Sequence, residues 1–208
     1  MDSKYFLVIL LFFYRCAIIF CREAQKADMY FEHVVKTPLP LDTVYKTMRD
    51  ELCNLVVYLP NVSKIETIER KTSGDIVSVS YAWYGKNVLS DTLSQLTKLG
   101  DIMWIDRSEW VNSKYICNWN YEPFIFKEFI HAYGTNFYTT SEKDTVIRIT
   151  GNLAANFEHY PLSSIVPGIL RKKMTDEFLQ KALSLIQPNF VSVLRGLERY
   201  IVEKGSIR

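Results

Sequence analysis

Three histidines, His33, His131 and His159, are the residue types best suited to acid–base work at neutral pH. None has a second histidine four residues away, the spacing that builds a zinc site on a helix. Each reads first as a surface or hydrogen-bonded structural histidine. A catalytic base would need to point into a cavity beside a carboxylate, and His131 is the histidine considered for that role. The other chemically suggestive stretch is MWIDRSEW. On a strand, Trp104, Asp106, Ser108 and Trp110 share one face, and Arg107 and Glu109 share the other. This segment reads first as a solvated face with cross-strand ion pairs. The alternative is a polar group, or a shielded acid at Asp106, that recognises the head of a ligand. The chain has no Gly-x-Ser-x-Gly elbow, no phosphate-binding glycine loop and no dinucleotide fingerprint. No residue is therefore assigned as catalytic, and no metal or cofactor is implied. Cys53 and Cys117 read as buried thiols rather than a disulfide.

Aromatic residues make up 14% of the chain, which favours a β-rich body or a cavity lined with rings. Tyr81, Trp83, Trp119, Tyr121, Tyr133 and Phe137 fall on expected strands, where they can line a cavity or fill a core. His131 and Phe178 join them as cavity candidates. A ligand pocket needs mostly apolar walls and a few polar groups that fix orientation. The run Arg171, Lys172, Lys173 reads as a solvated helix start, or as a contact for anionic headgroups worth about 1 kcal/mol per basic residue. A net charge of +2 gives no electrostatic case for nucleic acid.

These residues need elements to position them. Asp28 to Thr37 reads as a strand ended by Pro38 and Pro40. Asp42 is placed to cap a helix running to Glu51 or Leu52. A second short helix spans about Cys53 to Tyr58. Strands follow at Ser63–Arg70 and Ile76–Tyr84, with Gly74 in the turn between them. Residues Lys86 to Gly100 form a polar connection, helical around Asp91 to Leu99. Four more strands are expected: Met103–Val111, Lys114–Glu122, Glu128–Thr139 and Thr145–Asn156. The chain then passes Pro161 and Pro167 into a long amphipathic helix, Ile165 to Glu203. Pro188 should kink or divide that helix, and Gly205 should cap it. The class is α+β: a curved antiparallel sheet of about seven strands wrapped around a long C-terminal helix, with two short helices after strand one.

Residues 1–27 read as a leader. Tyr5 to Cys21 is apolar except for Arg15, short for a span of about 20 residues, and suits a signal peptide or a membrane anchor. The protein is then expected in the secretory pathway or at a membrane, and in the cytoplasm if the leader is not real. The sequon Asn61-Val62-Ser63 matters only in the first case.

Residues 28–208 are read as one domain, and the stretch from about Met29 to Lys204 resembles the START-like, or SRPBCC, superfamily of helix-grip proteins, which includes the PRELI-type lipid-transfer, Bet v 1 and polyketide-cyclase groups. The resemblance rests on element order and on TPLPLDTVYKTMRD, YLPNVSKIETIER, MWIDRSEW and IQPNFVSVLRGLERYI. It implies a hydrophobic cavity between sheet and long helix, and a lipid or other hydrophobic small molecule as partner. It equally leaves open a cyclase or aromatase working in the same cavity. A protein-interaction scaffold without a cavity is the third reading.

Overall fold

A computed structural model describes residues 27–86, 101–124, 127–155 and 168–206. The leader, the connection after Lys86, His159 and the Pro161–Pro167 link lie outside the described residues. Seven strands form one antiparallel sheet: β1 (Ala27–Thr37), β2 (Val62–Ser73), β3 (Ile76–Lys86), β4 (Asp101–Val111), β5 (Ile116–Pro123), β6 (Ile130–Ser141) and β7 (Asp144–Ala155). Their spatial order is β1-β7-β6-β5-β4-β3-β2, so β2 to β7 run as a meander and β1 pairs with the last strand. The expected architecture is the observed one.

Turn chemistry explains the meander. Gly74, at φ +57°, opens the two-residue turn between β2 and β3, a position that strongly favours glycine. Glu142 takes a similar φ of 58° between β6 and β7. The connection between β4 and β5 is longer: a 3₁₀ turn at Asn112–Lys114 is followed by Tyr115 in the left-handed region. Asp75 ties these ends together, since its carboxylate accepts the Ser113 amide at 2.8 Å and its backbone oxygen accepts the Asn112 amide at 3.0 Å.

Helix α1 (Leu41–Asp50) and a 3₁₀ segment (Leu52–Tyr58) cross from β1 to β2 at the two sheet edges. Pro40 occupies the N-cap of α1 with no side-chain cap bond. Asp42 lies inside the first turn instead and pairs with Lys46 at 2.6 Å. The final helix α2 (Gly168–Ser206) continues through Pro188 as one element. Gly205 lies within it rather than beyond it, and its φ is not positive. Helix α2 packs on β1, β7 and the 3₁₀ segment. Its C-terminal end is latched there: Tyr200 Oη and Lys204 Nζ both reach the Glu51 carboxylate at 3.0 Å, and Tyr58 Oη donates to Glu203. Gly196 permits the close approach, because a Cβ there would stand 2.8 Å from Tyr58 Cβ. Among the described residues, no helix is long and apolar enough to cross a membrane.

The core lies between the helices and the inner face of the sheet. Two facing glycines shape it. Gly134 and Gly151 are register partners on β6 and β7, and the Trp119 indole from β5 lies over both. A Cβ at Gly134 would meet Thr150 O at 2.1 Å and Trp119 Cζ2 at 2.4 Å; at Gly151 it would meet Phe31 Cζ at 2.6 Å. Gly134→Ala and Gly151→Ala should therefore each lower stability by about 1–3 kcal/mol, measured by urea unfolding. Gly205→Ala, with nothing within 4 Å of the new methyl, should be neutral or slightly stabilising.

Candidate functional site

Strand parity decides what faces the helices. On β4, Asp106 and Ser108 stand 3% and 7% exposed, and Trp110 stands with them on the inner face. Register places Tyr81 and Tyr121 opposite Asp106, Val79 and Trp119 opposite Ser108, and Val77 and Cys117 opposite Trp110. On β6 the even-numbered residues Asn136 and Tyr138 turn inward. The segment read from sequence as solvated thus divides, with its Asp106 face buried. The outward pair behaves as expected of a surface: Arg107 forms an ion pair with Glu122 across the strands.

A cavity of about 70 Å³ lies between this face and helix α2. Its floor is Trp83, Asp106, Ser108, Trp110, Cys117 and Trp119. Tyr121, Tyr138 and Asn136 continue the wall, with Val35, Ile147 and Ile149 on the far strands. Met48 and Leu52 close one side, and Phe190, Val193 and Leu194 of α2 form the roof. The aromatic walls are braced from behind. Tyr45 meets Trp110 and Tyr138 edge-on at 5.2 and 5.3 Å, and donates from its hydroxyl to Ile116 O at 3.3 Å. Trp119 stacks on Tyr121 at 4.7 Å and donates its indole N–H to Asn136 Oδ1 at 3.0 Å. These contacts fix ring orientation before any ligand arrives.

The one carboxyl in this wall is Asp106. Ser108 Oγ donates to its Oδ1 at 2.6 Å. Burial pushes its pKa up to about 7, only partly opposed by Ser108 and by the nearby Trp83 indole. Trp83 Nε1 is close enough to favour the anion, yet among the described residues it makes no hydrogen bond of normal geometry, and Trp110 Nε1 is likewise buried without a partner there. Buried donors of this kind are uncommon and call for an explanation. Burial also raises the pKa values of Cys117, Tyr121 and Tyr138, so these groups stay protonated at neutral pH. The Cys117 thiol is accordingly a poor nucleophile. Among the described residues, no group of three His, Cys, Asp or Glu could hold a metal ion.

Of the sequence candidates, the structure brings together Trp83, Trp119 and Tyr121 on the cavity wall. Tyr81 shares their face but is buried beside α1, where its hydroxyl donates to Arg49 O at 3.1 Å. His131, Tyr133 and Phe137 are the odd-numbered positions of β6 and stand away from the cavity: His131 is exposed, Tyr133 is 47% exposed, and Phe137 lies under Arg148 at 4.3 Å. The Phe178 side chain lies outside the described residues, as do those of Arg171 and Lys172. Lys173 is exposed and faces Glu177 at 3.7 Å. Sequence reasoning did not pick out Trp110, Ser108, Asn136, Tyr138 and Phe190 as wall residues. For Trp110 and Ser108 the signal was present, since a strand face carrying two tryptophans is a poor candidate for solvent.

No family model matches the chain, and no curated protein matches it. Solved structures do. The ZhuI aromatase/cyclase from Streptomyces sp. R1128 superposes with a TM-score of 0.56 at 16% identity, covering 82% of this chain and 91% of that one. Ara h 8.0201 gives 0.57 at 10% identity, covering 85% and 99%. Norcoclaurine synthase from Thalictrum flavum, in complex with dopamine and hydroxybenzaldehyde, gives 0.54 at 12% identity, covering 86% and 88%. At these identities the likeness is one of fold, the helix-grip arrangement of a sheet closed by a long C-terminal helix.

Asp106 makes stability depend on pH. The unfolded carboxyl ionises near 3.8 and the folded one near 7. Between those values the folded state keeps a proton that the unfolded chain has lost, so this group's contribution falls as pH rises through the window. Urea unfolding of the wild type and of Asp106→Asn at pH 4.5 and 8.5 checks this. The loss of stability on going to the higher pH should be smaller in the variant by roughly 3 kcal/mol.

Proposed function

We propose that this helix-grip chain binds a small, largely apolar and ring-bearing molecule between the inner face of its sheet and helix α2. The observation that carries the reading is the cavity itself: braced aromatic walls around a single buried carboxyl. Its volume of about 70 Å³ exceeds what one ordered water needs, roughly 10–15 Å³ on the same kind of measure. It falls short of the roughly 300 Å³ at which drug-sized pockets begin. A cavity that holds one benzene ring measures about 150 Å³, so a one-ring molecule would need some widening of the resting space. A long-chain lipid would require α2 to lift from Phe190, Val193 and Leu194. Binding would be driven by removal of apolar surface from water, about 25 cal/mol per Å². Norcoclaurine synthase, a neighbour in fold solved in complex with dopamine and hydroxybenzaldehyde, supports the choice of a ring-bearing ligand.

A second reading is supported by Asp106. A carboxyl whose pKa is about 7 is placed to give or take a proton at neutral pH, as a cyclase would need. The two readings share the cavity and differ in whether the bound molecule leaves changed.

Native mass spectrometry of the full chain, followed by solvent extraction of what co-purifies, tests the binding reading. A ring-bearing or other apolar compound near one-to-one stoichiometry is the expected result. A ligand-free mass that no panel of apolar compounds alters would contradict it. Narrowing the cavity with Val193→Trp should then reduce occupancy at least about tenfold, since overpacking removes the space.

A further inference from the structure

The cavity wall holds more hydrogen-bond donors than the protein uses. Trp83 and Trp110 line the cavity, and their buried indole N–H groups have no partner of normal geometry among the described residues. Asp106 lies between them in sequence register: Trp83 pairs with Trp104, two residues before Asp106, and Trp110 stands four residues after it on the same face. Ser108 donates to one Asp106 oxygen, so a proton on the carboxyl sits on the other and makes it a third donor.

We infer that the cavity selects an apolar or aromatic molecule bearing an acceptor oxygen, a ketone or aldehyde carbonyl, and docks that oxygen against Asp106 and Trp83. This rests on the proposed use of the cavity as a ligand site. A carbonyl satisfies donors that are otherwise left buried and unmade, each at a penalty, while its ring replaces water against the aromatic walls. A hydrocarbon of the same shape fills the space but leaves the donors orphaned. A cationic ligand is disfavoured while the carboxyl holds its proton.

Among the described residues, the recognition should switch with pH through Asp106 alone. The titratable groups that face it are Tyr81 from β3, Cys117 and Tyr121 from β5, and Tyr138 from β6. Burial raises all four, so they remain neutral where Asp106 titrates. The cavity-facing residues of α1, Met48, and of α2, Phe190, Val193 and Leu194, carry no charge. Above the Asp106 transition the carboxylate is an acceptor and repels a carbonyl oxygen.

Acetophenone and ethylbenzene are a matched pair of one size, with and without the acceptor. Calorimetric titration of the full chain at pH 5.5 and 8.5 gives four affinities. At pH 5.5 the ketone should bind about three- to tenfold more tightly than the hydrocarbon, and at pH 8.5 that preference should vanish or reverse. Asp106→Asn, which keeps a donor and cannot ionise, should hold the preference at both pH values. Equal affinities at pH 5.5 would overturn the inference and leave the binding reading standing. A preference for the ketone that does not change with pH in the wild type would overturn the assignment to Asp106. Failure of both probes to bind at either pH would overturn the inference and the binding reading together.

Discussion

Desolvation of the Asp106 carboxyl is the constraint to which the inner face of the sheet is fitted. The group stands 3% exposed on a strand whose same-face neighbours include two tryptophans. An ionised carboxylate there would need strong compensation. Among the described residues the chain offers one serine hydroxyl and the proximity of one indole, and no lysine, arginine or histidine pairs with it. The result is a carboxyl that keeps its proton up to about pH 7. A neutral donor in an apolar cavity can orient a ligand without the penalty of a buried charge.

The remaining architecture holds that environment in place. Trp119 lies over Gly134 and Gly151, which lets a large ring approach the sheet backbone while its N–H is satisfied by Asn136. Tyr45 clamps Trp110 and Tyr138 from α1. Helix α2 supplies the roof from its middle, while its C-terminal end is fastened to the 3₁₀ segment through Glu51, Tyr200, Lys204 and Glu203. The fastening polar groups lie at the surface, and exposed pairs contribute little each. The apolar contacts of Leu194 and Leu197 and the close fit at Gly196 hold more of the helix in place.

The architecture was legible because it is written in local signals. Alternation along β3 put Val77, Val79, Tyr81 and Trp83 on one face, prolines ended β1, and Gly74 marked a hairpin. Trp83, Trp119 and Tyr121 followed from the same alternation. The site was less legible, because alternation shows which residues share a face but not which face is inner. That choice depends on long-range pairing. On β6, both parities mix apolar and polar residues, so Tyr133 and Phe137 looked as eligible as Tyr138, and only Gly134 beneath Trp119 reveals the inward set. On β4, Arg107 and Glu109 made the segment look solvated, although the charges belong to the outer face and Asp106 to the inner. Helix ends went the other way: Asp42 looked like a cap and Gly205 like a stop, yet Asp42 pairs along the helix and α2 runs past Gly205.

Selective ¹³C labelling of aspartate side chains and an NMR titration of the Asp106 carboxyl carbon, assigned through Asp106→Asn, read the protonation of this buried group without relying on any ligand. A midpoint near 7, well above the ordinary carboxyl value, is the result this account predicts. A midpoint near the ordinary value of 3.8 would show a solvated carboxylate and contradict it.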